Sequence, residues 1–288
     1  MHKFSSRNFL PNKMKVVIIG SGNVATVLGK LIFKAGHEII QIAGRNKTEV
    51  SLLADEFNAS AETNLHNIFP DADIYIIAVS DDAVKKVAES LQLNNKLIVH
   101  TSGSLSKNIL KKVSKNYGVI YPLQSLQKEI KQFLKIPWLI DGSSKNTINT
   151  LIDFAQTLSS IVQTANDEQR LKLHIAAVIS SNFTNHLYAL AETFCANENI
   201  SFLTLLPLIE ETTNRLKNYP SSQMQTGPAF RGDIITIKKH LRVLKNYPEI
   251  KKIYKQLSES ILHQKNSPPV KPSGDRYEQA TDHKVSNQ

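Results

Sequence analysis

Cysteine is almost absent from the sequence, and long apolar runs are missing altogether. Cys195 is the single cysteine among 288 residues, so the chain can form no internal disulfide and has no cysteine cluster for structural zinc. The longest apolar runs, residues 15–20 and 73–79, are far shorter than the ~20 residues that cross a bilayer. These features exclude a disulfide-stabilised scaffold and a transmembrane helix, and they favour a reducing, cytoplasmic location.

The charge of the chain is biased towards basic residues, but no segment concentrates it. Lysine and arginine number 35 against 25 aspartate and glutamate residues, which gives a formal net charge of +10. The excess is spread over the N-terminus, residues 107–135 and residues 238–255, without the run of arginine and aromatic side chains on which bases stack. The sequence therefore favours a basic enzyme over a nucleic-acid-binding protein.

The first strong motif follows a β-branched run at residues 15–20. Its two glycines suit a tight turn and a close approach of backbone to a pyrophosphate, and its final alanine suits packing of helix on strand. A helical pattern through Leu28, Leu31 and Ala35 comes next, and its free N-terminal amides would face the phosphates. We therefore predict a dinucleotide-binding loop formed by Gly20, Ser21, Gly22, Asn23, Val24 and Ala25.

The residues after the second predicted strand, residues 38–43, indicate which dinucleotide binds. A site for NAD usually has an aspartate or glutamate here, whereas this chain reads Gly44-Arg45-Asn46-Lys47-Thr48. The guanidinium of Arg45 can pair with a 2′-phosphate or stack on adenine, and Asn46 and Thr48 can add hydrogen bonds. The predicted cofactor is NADP (NADPH), bound by Gly44, Arg45 and Asn46; the alternative is that Arg45 and Lys47 only solvate a loop.

Two further predicted strands, residues 73–79 and 96–99, end in polar loops. The first is a nearly continuous apolar run, which is typical of a parallel sheet covered on both faces. Because ligands of doubly wound sheets bind at the carboxyl ends of strands, both loops are predicted to face the nicotinamide and the substrate. They provide Val79, Ser80, Asp81, Thr101 and Ser102. A helix is predicted over residues 105–110, and His100 is either a structural hydrogen-bonding residue or a proton donor.

A long helix is predicted over residues 168–197, which contain neither proline nor glycine and repeat apolar residues at helical spacing. A polar stripe on such a helix indicates either the wall of a cleft or a hydrogen-bond ladder to another helix. At 100° per residue, six positions fall within an arc of about 140°: His174, Val178, Ser181, Asn182, Asn185 and His186.

A loop at residues 226–233 separates two apolar helices further along the chain. It reads Thr226-Gly-Pro-Ala-Phe-Arg-Gly-Asp233, and Asp233 is placed to cap the following helix. Arg231 can bind an anion, and the alternative is a structural Arg–Asp pair. Before this loop, Ser201 is predicted to cap a helix that Pro207 kinks or restarts.

Residues 14–265 resemble a Rossmann-like family whose C-terminal domain is of unknown function and whose members are described as predicted short-subunit dehydrogenase-like oxidoreductases. The resemblance is carried by Gly20-Ser-Gly-Asn-Val-Ala25, Ala78-Val-Ser-Asp81, His100-Thr-Ser-Gly103, Tyr121-Pro-Leu-Gln124, Ser181-Asn-Phe-Thr-Asn-His186 and the loop ending at Asp233. More loosely, the chain is similar to deazaflavin-dependent NADP oxidoreductases, pyrroline-5-carboxylate reductase and ketopantoate reductase.

The resemblance implies a fold and an assembly. The fold is α/β, with an N-terminal Rossmann-type, doubly wound, mostly parallel sheet followed by an all-helical domain of the 6-phosphogluconate dehydrogenase C-terminal type. The implied assembly is a homodimer built through the helical domains. The expected organisation is a flexible leader at residues 1–13, an NADP-binding Rossmann domain at 14–165, a helical substrate and dimerisation domain at 166–264, and a disordered tail at 265–288.

One residue expected from the resemblance is missing. Ketopantoate reductases and related hydroxyacid dehydrogenases carry a catalytic lysine one turn before an asparagine, whereas the position one turn before Asn182 is Val178. His174, one turn earlier, and His186, one turn after Asn182, are the alternatives for supplying a proton.

These motifs together predict an NADP-dependent oxidoreductase that transfers a hydride between the nicotinamide and a small carbonyl or imine substrate at a cleft between the domains. Asn182, Asn185 and His186 are the expected positioning donors, and His174 or His186 the expected acid. Arg231 is the expected anchor for an anionic substituent of the substrate. The alternative is a non-catalytic sensor or assembly protein that binds NADP, which the missing lysine favours and the polar helix face disfavours.

Overall fold

A computed structural model of the protein describes residues 13–129 and 135–265. The predicted leader and tail lie outside these residues, apart from Lys13 and Lys265. The chain divides into two compact units, with the boundary between Phe183 and Thr184. The domain boundary that the sequence predicts after residue 165 remains a prediction.

An eight-stranded sheet forms the centre of the first unit. Its strands are β1 Lys15–Ile19, β2 Glu38–Ala43, β3 Ser60–Glu62, β4 Ile74–Ile77, β5 Leu97–His100, β6 Tyr117–Pro122, β7 Trp138–Gly142 and β8 Val162–Thr164. Their order is β3-β2-β1-β4-β5-β6-β7-β8, and every adjacent pair is parallel except β6 and β7. The chain order reverses at β1, between β2 and β4, and doubly wound sheets bind ligand at such a point.

Apolar side chains cover both faces of this sheet. In β1, Val16 and Ile18 belong to one core cluster while Val17 and Ile19 belong to the other, as the two-residue period of a strand requires. All four residues of β4 are buried, which explains why its sequence reads as a continuous apolar run.

The helices of the first unit are α1 Asn23–Lys34, α2 Lys47–Glu56, α3 Asp81–Glu89, α4 Lys145–Leu158 and α5 Asp167–Ala177. The helix predicted over residues 105–110 is wrong, because the structure forms only a 3-10 turn at Lys107–Leu110. Ser114 already forms an isolated parallel bridge with Asn94, outside the named strands, and β6 begins three residues later, so the segment has length for one tight turn only.

Helical structure covers the whole range predicted for the long helix, but the type of helix changes within it. After α5, residues Val178–Phe183 form a π-helix, and α6 Thr184–Asn197 begins directly after it. Because a π-helix has a wider turn than an α-helix, the spacing of 100° per residue does not hold across it, and the predicted arc of 140° is wrong for residues 178–186.

The second unit is helical. It contains α6 together with α7 Leu206–Arg215, α8 Pro228–Arg231, α9 Ile234–Val243 and α10 Pro248–Lys265. Pro207 lies in the first turn of α7, where a restarted helix tolerates it, and Asp233 caps α9 by accepting a hydrogen bond from the Thr236 amide at 3.0 Å. A mostly parallel sheet followed by a helical region confirms the predicted fold class. None of the described helices is long and apolar enough to cross a bilayer.

Candidate functional site

A cavity of about 940 Å³ opens in the first unit at the carboxyl ends of its central strands. The structure brings thirteen of the residues predicted to bind cofactor to its wall: Gly20, Ser21, Gly22, Asn23, Val24, Gly44, Arg45, Asn46, Val79, Ser80, Asp81, Thr101 and Ser102. Ala25 does not line the cavity; it is fully buried in the core beneath it, where a small residue lets α1 lie against the sheet.

The two glycines of the loop before α1 have different explanations. Gly20 has φ +137°, and a Cβ built on it would lie 2.1 Å from the carbonyl oxygen of Ala78, so the protein itself requires glycine there. A Cβ on Gly22 would meet nothing within 4 Å, and its φ of −83° is open to any residue. The missing side chain at Gly22 therefore leaves free space over the N-terminus of α1, where a ligand can approach the backbone closely.

The loop after β2 presents an unpaired cation to the cavity. Arg45 is exposed, and within residues 13–129 and 135–265 it forms no ion pair shorter than 4 Å. The loop is shorter than predicted, because Asn46 caps α2 by accepting the Glu49 amide at 3.3 Å. Lys47 and Thr48 thus lie in the first helical turn.

The loops after β4 and β5 are joined by side chains. The hydroxyl of Ser104 donates a hydrogen bond to Oδ2 of Asp81, the first residue of α3. The amide of Ser104 in turn donates to the hydroxyl of Ser102 at 3.1 Å, which fixes the short loop after β5. This network holds two walls of the cavity at a constant spacing.

His100, the last residue of β5, lies beneath this loop, and its environment is that of a structural hydrogen-bonding residue. Its ring is fully buried, and Nδ1 accepts a hydrogen bond from the amide of Ser102 at 3.2 Å. Burial, assisted by the nearby positive charge of Arg170, lowers the pKa of His100 to about 4. The ring is therefore neutral near pH 7, and it does not line the cavity.

A tyrosine and a histidine meet at one end of the cavity. The hydroxyl of Tyr121, in β6, lies 2.9 Å from Nδ1 of His174, in α5, and both residues line the cavity. The rings pack edge to face, with centroids 5.8 Å apart. Gly103 makes the contact possible, because a Cβ there would lie 2.9 Å from atoms of both rings. Burial, and then the charge of Asp81, raises the pKa of the Tyr121 phenol.

The N-terminal turn of α5 is anchored where it supports His174. Asn166 and Gln169 form a capping box, each side chain bonding the other's backbone amide. One turn before His174, the fully buried Arg170 donates to the carbonyl of Leu105 and, at 2.8 Å, to Oδ1 of Asp167. These bonds attach α5 to the loop after β5 and so fix the position of the histidine.

The remaining predicted catalytic residues are not in this cavity wall. Asn182 lies in the π-helix of the first unit and is exposed. Asn185 and His186 in α6 and Arg231 at the end of α8 are exposed residues of the second unit. Among the described residues, Arg231 forms no ion pair within 4 Å, although its charge, after the hydrogen bonds from Thr236, helps to lower the pKa of the Asp233 carboxyl, so the Arg–Asp pair considered from the sequence stays an alternative.

Sequence reasoning did not select several residues that line the cavity. Tyr121, Thr63, Leu65 and Lys86 are all part of the wall. The motif Tyr121-Pro-Leu-Gln124, placed directly after an apolar strand, was the available signal for Tyr121, since ligand-facing residues follow the strands of this fold.

Two family models match successive parts of the chain. Residues 15–103 match the family described as "NADP oxidoreductase coenzyme F420-dependent". Residues 136–261 match a domain of unknown function, DUF2520. The first match contains the glycine loop and Arg45, and the second contains α5 with His174.

A similar solved structure extends over both matches. An inferred NADP oxidoreductase from Bacteroides fragilis is 37% identical to this chain, with a TM-score of 0.83, over 87% of this chain and 98% of its own. The chain belongs to the family of this oxidoreductase. The "short-subunit" description expected from the motifs is not part of this family's description.

More distant structures share the fold of this oxidoreductase family. The reductive aminase from Aspergillus terreus, solved with NADPH and ethyl-5-oxohexanoate, is 16% identical with a TM-score of 0.66, over 88% of this chain and 95% of its own. The 1-pyrroline-5-carboxylate reductase from Streptococcus pyogenes is 17% identical with a TM-score of 0.59, over 88% of this chain and 100% of its own.

Curated relatives match a shorter stretch. Glycerol-3-phosphate dehydrogenase [NAD(P)+] from Staphylococcus saprophyticus is 27% identical over 116 residues, which are 35% of this chain and 35% of the dehydrogenase. The chain thus spans about a third of the length of the curated relatives it matches.

Proposed function

We propose that this protein is an NADP-dependent oxidoreductase that transfers a hydride between the nicotinamide and a small carbonyl or imine compound. The observation that carries the proposal is the free space over Gly22, in a cavity whose other walls are the loops that face a dinucleotide in this fold. The nicotinamide would supply or accept the hydride, while the chain holds it, orients the substrate and provides a proton. Membership of an NADP oxidoreductase family supports this proposal.

The start of α1 suits the two phosphates of a dinucleotide. No acidic residue lies in its first turn, and no side chain caps its N-terminus. The free amides and the positive end of the helix dipole are thus left for an anion. Ser21 and Asn23 border the same space and can add hydrogen bonds.

The cation at the end of β2 suits a 2′-phosphate. Arg45 forms no ion pair within 4 Å among the described residues, although its charge is one of the causes that lower the pKa of the exposed Asp82 carboxyl, and Lys86 of α3 adds a second positive charge to the cavity wall. An aspartate or glutamate at this position, which would repel the phosphate, is absent from the sequence. We therefore assign NADP rather than NAD as the preferred cofactor.

The substrate side of the proposal uses the predicted polar residues. His174, with His186 as the alternative, is assigned to the supply of the proton, and His174 is favoured because it lines the cavity. Asn182, Asn185 and His186 are assigned as positioning donors, and Arg231 as the anchor for an anionic substituent. These roles rest on the sequence pattern and on the chemistry of their side chains.

A homodimer built through the second unit is part of the same proposal. Large apolar side chains are exposed along its helices, including Leu203, Leu208 and Ile235. Apolar surface of this extent on a folded unit indicates a face that another chain covers.

Cofactor binding and substrate turnover test this proposal. The purified full chain is titrated with NADPH and NADH by calorimetry, and NADPH oxidation is then followed over a panel of small aldehydes, ketones and cyclic imines. Tight NADPH binding with turnover of a panel member is the expected result. NADPH binding without turnover, together with unchanged affinity in Asn182→Ala, would favour the sensor instead, and no dinucleotide binding at all would end the proposal.

A further inference from the structure

We propose that Tyr121 delivers the proton to the substrate, and that His174 holds the Tyr121 hydroxyl in place and returns a proton to it from solvent. This inference rests on the proposed oxidoreductase function and deepens it, since it names the proton path within the same cavity. It also assigns His174 a role through Tyr121 rather than by direct contact with the substrate.

The contact between the two side chains supports a proton path. Oη of Tyr121 and Nδ1 of His174 are 2.9 Å apart, which is a hydrogen-bond distance with either atom as donor. Within residues 13–129 and 135–265 the His174 ring forms no other hydrogen bond, so its second nitrogen is left for water. Tyr121 is the next-to-last residue of β6, and His174 lies one turn after the anchored start of α5, so both side chains project from positioned backbone.

The loop after β5 leaves space for the rings of Tyr121 and His174. Gly103 separates the loop after β5 from both rings, and any side chain there would displace them. That loop also carries Thr101 and Ser102, which line the same cavity and which we assign to the nicotinamide side. A proton donor is needed beside the carbon that receives the hydride, and Tyr121 provides a phenol in the described cavity wall, next to this loop.

The phenol has the protonation state that a donor needs. Burial and the charge of Asp81 raise its pKa, so the group carries its proton at neutral pH. A phenol in a half-buried wall can donate a hydrogen bond to a carbonyl oxygen before reduction and lose its proton as charge develops on that oxygen.

The proton passes from solvent to the substrate through the two side chains. The carbonyl carbon gains a hydride, its oxygen receives the electron pair of the broken C=O π bond, and that oxygen takes the proton from Oη of Tyr121. The phenolate then takes a proton from Nδ1 of His174, and the ring takes one from water. For an imine, the nitrogen replaces the oxygen. In the oxidation direction each transfer reverses.

A second Tyr–His pair shows that a hydrogen bond between these two residue types does not by itself indicate a proton path to a substrate. His240 Nδ1 and the Tyr254 hydroxyl are 2.8 Å apart with rings edge to face, but this pair is exposed and neither residue lines the cavity. What distinguishes Tyr121 and His174 is their position at the ligand-facing edge of the sheet.

The test compares Tyr121→Phe with Tyr117→Phe. Both remove one hydroxyl from β6, but Tyr117 lies at the other end of the strand and donates to Asn108 at 3.2 Å, outside the cavity wall. With the panel substrate that wild type turns over, Tyr121→Phe is expected to lower kcat about 100-fold and to abolish the solvent isotope effect on kcat. NADPH affinity is expected to stay unchanged, and Tyr117→Phe is expected to resemble wild type throughout.

A readout without turnover accompanies the kinetics. In ¹⁵N-histidine spectra of the apoprotein, Tyr121→Phe is expected to shift the Nδ1 resonance of His174, whereas Tyr117→Phe leaves it in place. In His174→Ala, added imidazole is expected to restore part of the lost kcat, because a free imidazole can return the proton to Tyr121. If His174 had only a structural role, free imidazole would not restore kcat.

The outcomes separate this inference from the function on which it rests. If wild type turns over a substrate and Tyr121→Phe keeps both kcat and the isotope effect, the proton path is wrong and the oxidoreductase stands. If the His174 resonance does not respond to Tyr121→Phe, the pair is wrong. If wild type binds NADPH and reduces no panel member, the oxidoreductase proposal fails first.

Discussion

Arg45 is the residue on which the choice between NADP and NAD depends. Charged hydrogen bonds to a phosphate contribute about 1.5–3 kcal/mol each, and a carboxylate at the same position would repel the phosphate. Arg45→Asp is therefore expected to weaken NADPH binding by about 100-fold or more while changing NADH binding little, as measured by calorimetry.

Lys47→Asp is the matched control, because Lys47 lies two residues after Arg45, at the start of α2, and does not line the cavity. It makes the same change in net charge. Equal losses of NADPH and NADH affinity in Arg45→Asp, or the same selective loss in Lys47→Asp, would reject the assignment of Arg45 to the 2′-phosphate.

His100 links the stability of the first unit to pH. Its pKa falls from the ordinary 6.5 to about 4 on folding, because the buried ring cannot be solvated when charged. The unfolded chain therefore binds a proton on His100 at a pH where the folded chain does not. Stability from this residue is complete above pH 6.5, is lost as the pH falls towards 4, and declines no further below it.

Urea unfolding measures this loss. Trp138, the single tryptophan, is buried in β7 and reports the first unit by fluorescence. The contribution of His100 corresponds to about 3 kcal/mol between pH 7.5 and pH 4. Burial also lowers the pKa of His37, so the residue-specific effect is the difference between wild type and His100→Gln. An equal loss of stability in both proteins would contradict the explanation.

The turn between β1 and α1 is the element on which the proposed dinucleotide site depends. Gly22→Val is expected to abolish NADPH binding in calorimetry, because its side chain would occupy the space over the first amides of α1. The thermal unfolding midpoint is expected to change little, since a Cβ at this position has no protein atom within 4 Å. Gly20→Ala is the contrasting variant: it clashes with Ala78 and is expected to destabilise the fold itself. NADPH binding retained by Gly22→Val would show that the ligand lies elsewhere.

The strands were largely predictable because each carries its own local signal. β2 has the predicted bounds, 38–43, and β1 and β4 differ from prediction by residues at their ends only. The short edge strands β3 and β8 have three residues each, with exposed or half-buried side chains, so they leave no apolar pattern to detect.

The functional end of the cavity was harder to predict, for two physical reasons. Tyr121 and His174 are 53 residues apart, and their contact arises from the pairing of β6 and the anchoring of α5, which no local pattern encodes. The π-helix at Val178–Phe183 contains no proline or glycine, so a change of helical period there follows from packing rather than residue type. The glycine loop, in contrast, was predictable because its backbone demands specific residues.

The two units of the molecule have different surfaces. In the first unit the sheet is covered on both faces, and its apolar residues form two closed clusters. In the second unit, Leu203, Leu208 and Ile235 are 69%, 65% and 71% exposed. Single exposed apolar side chains are common on protein surfaces. A helical unit that exposes many of them has apolar surface that its own fold does not cover.

The proposed dimer is therefore expected to depend on these side chains. The double variant Leu208→Glu with Ile235→Glu is expected to be monomeric in sedimentation velocity, where wild type is expected to be a dimer, because two buried carboxylates per chain would face an apolar partner surface. NADPH binding is expected to persist, since every residue that lines the cavity belongs to the first unit.

Leu52→Glu is the matched control for this experiment. Leu52 is also an exposed leucine, 67% accessible, but it lies on α2 of the first unit. If apolar exposure as such drove association, Leu52→Glu would weaken the dimer as well; if the helices of the second unit form the interface, only the double variant does. A wild-type chain that sediments as a monomer at micromolar concentration would leave those side chains exposed to water and would refute the proposed assembly.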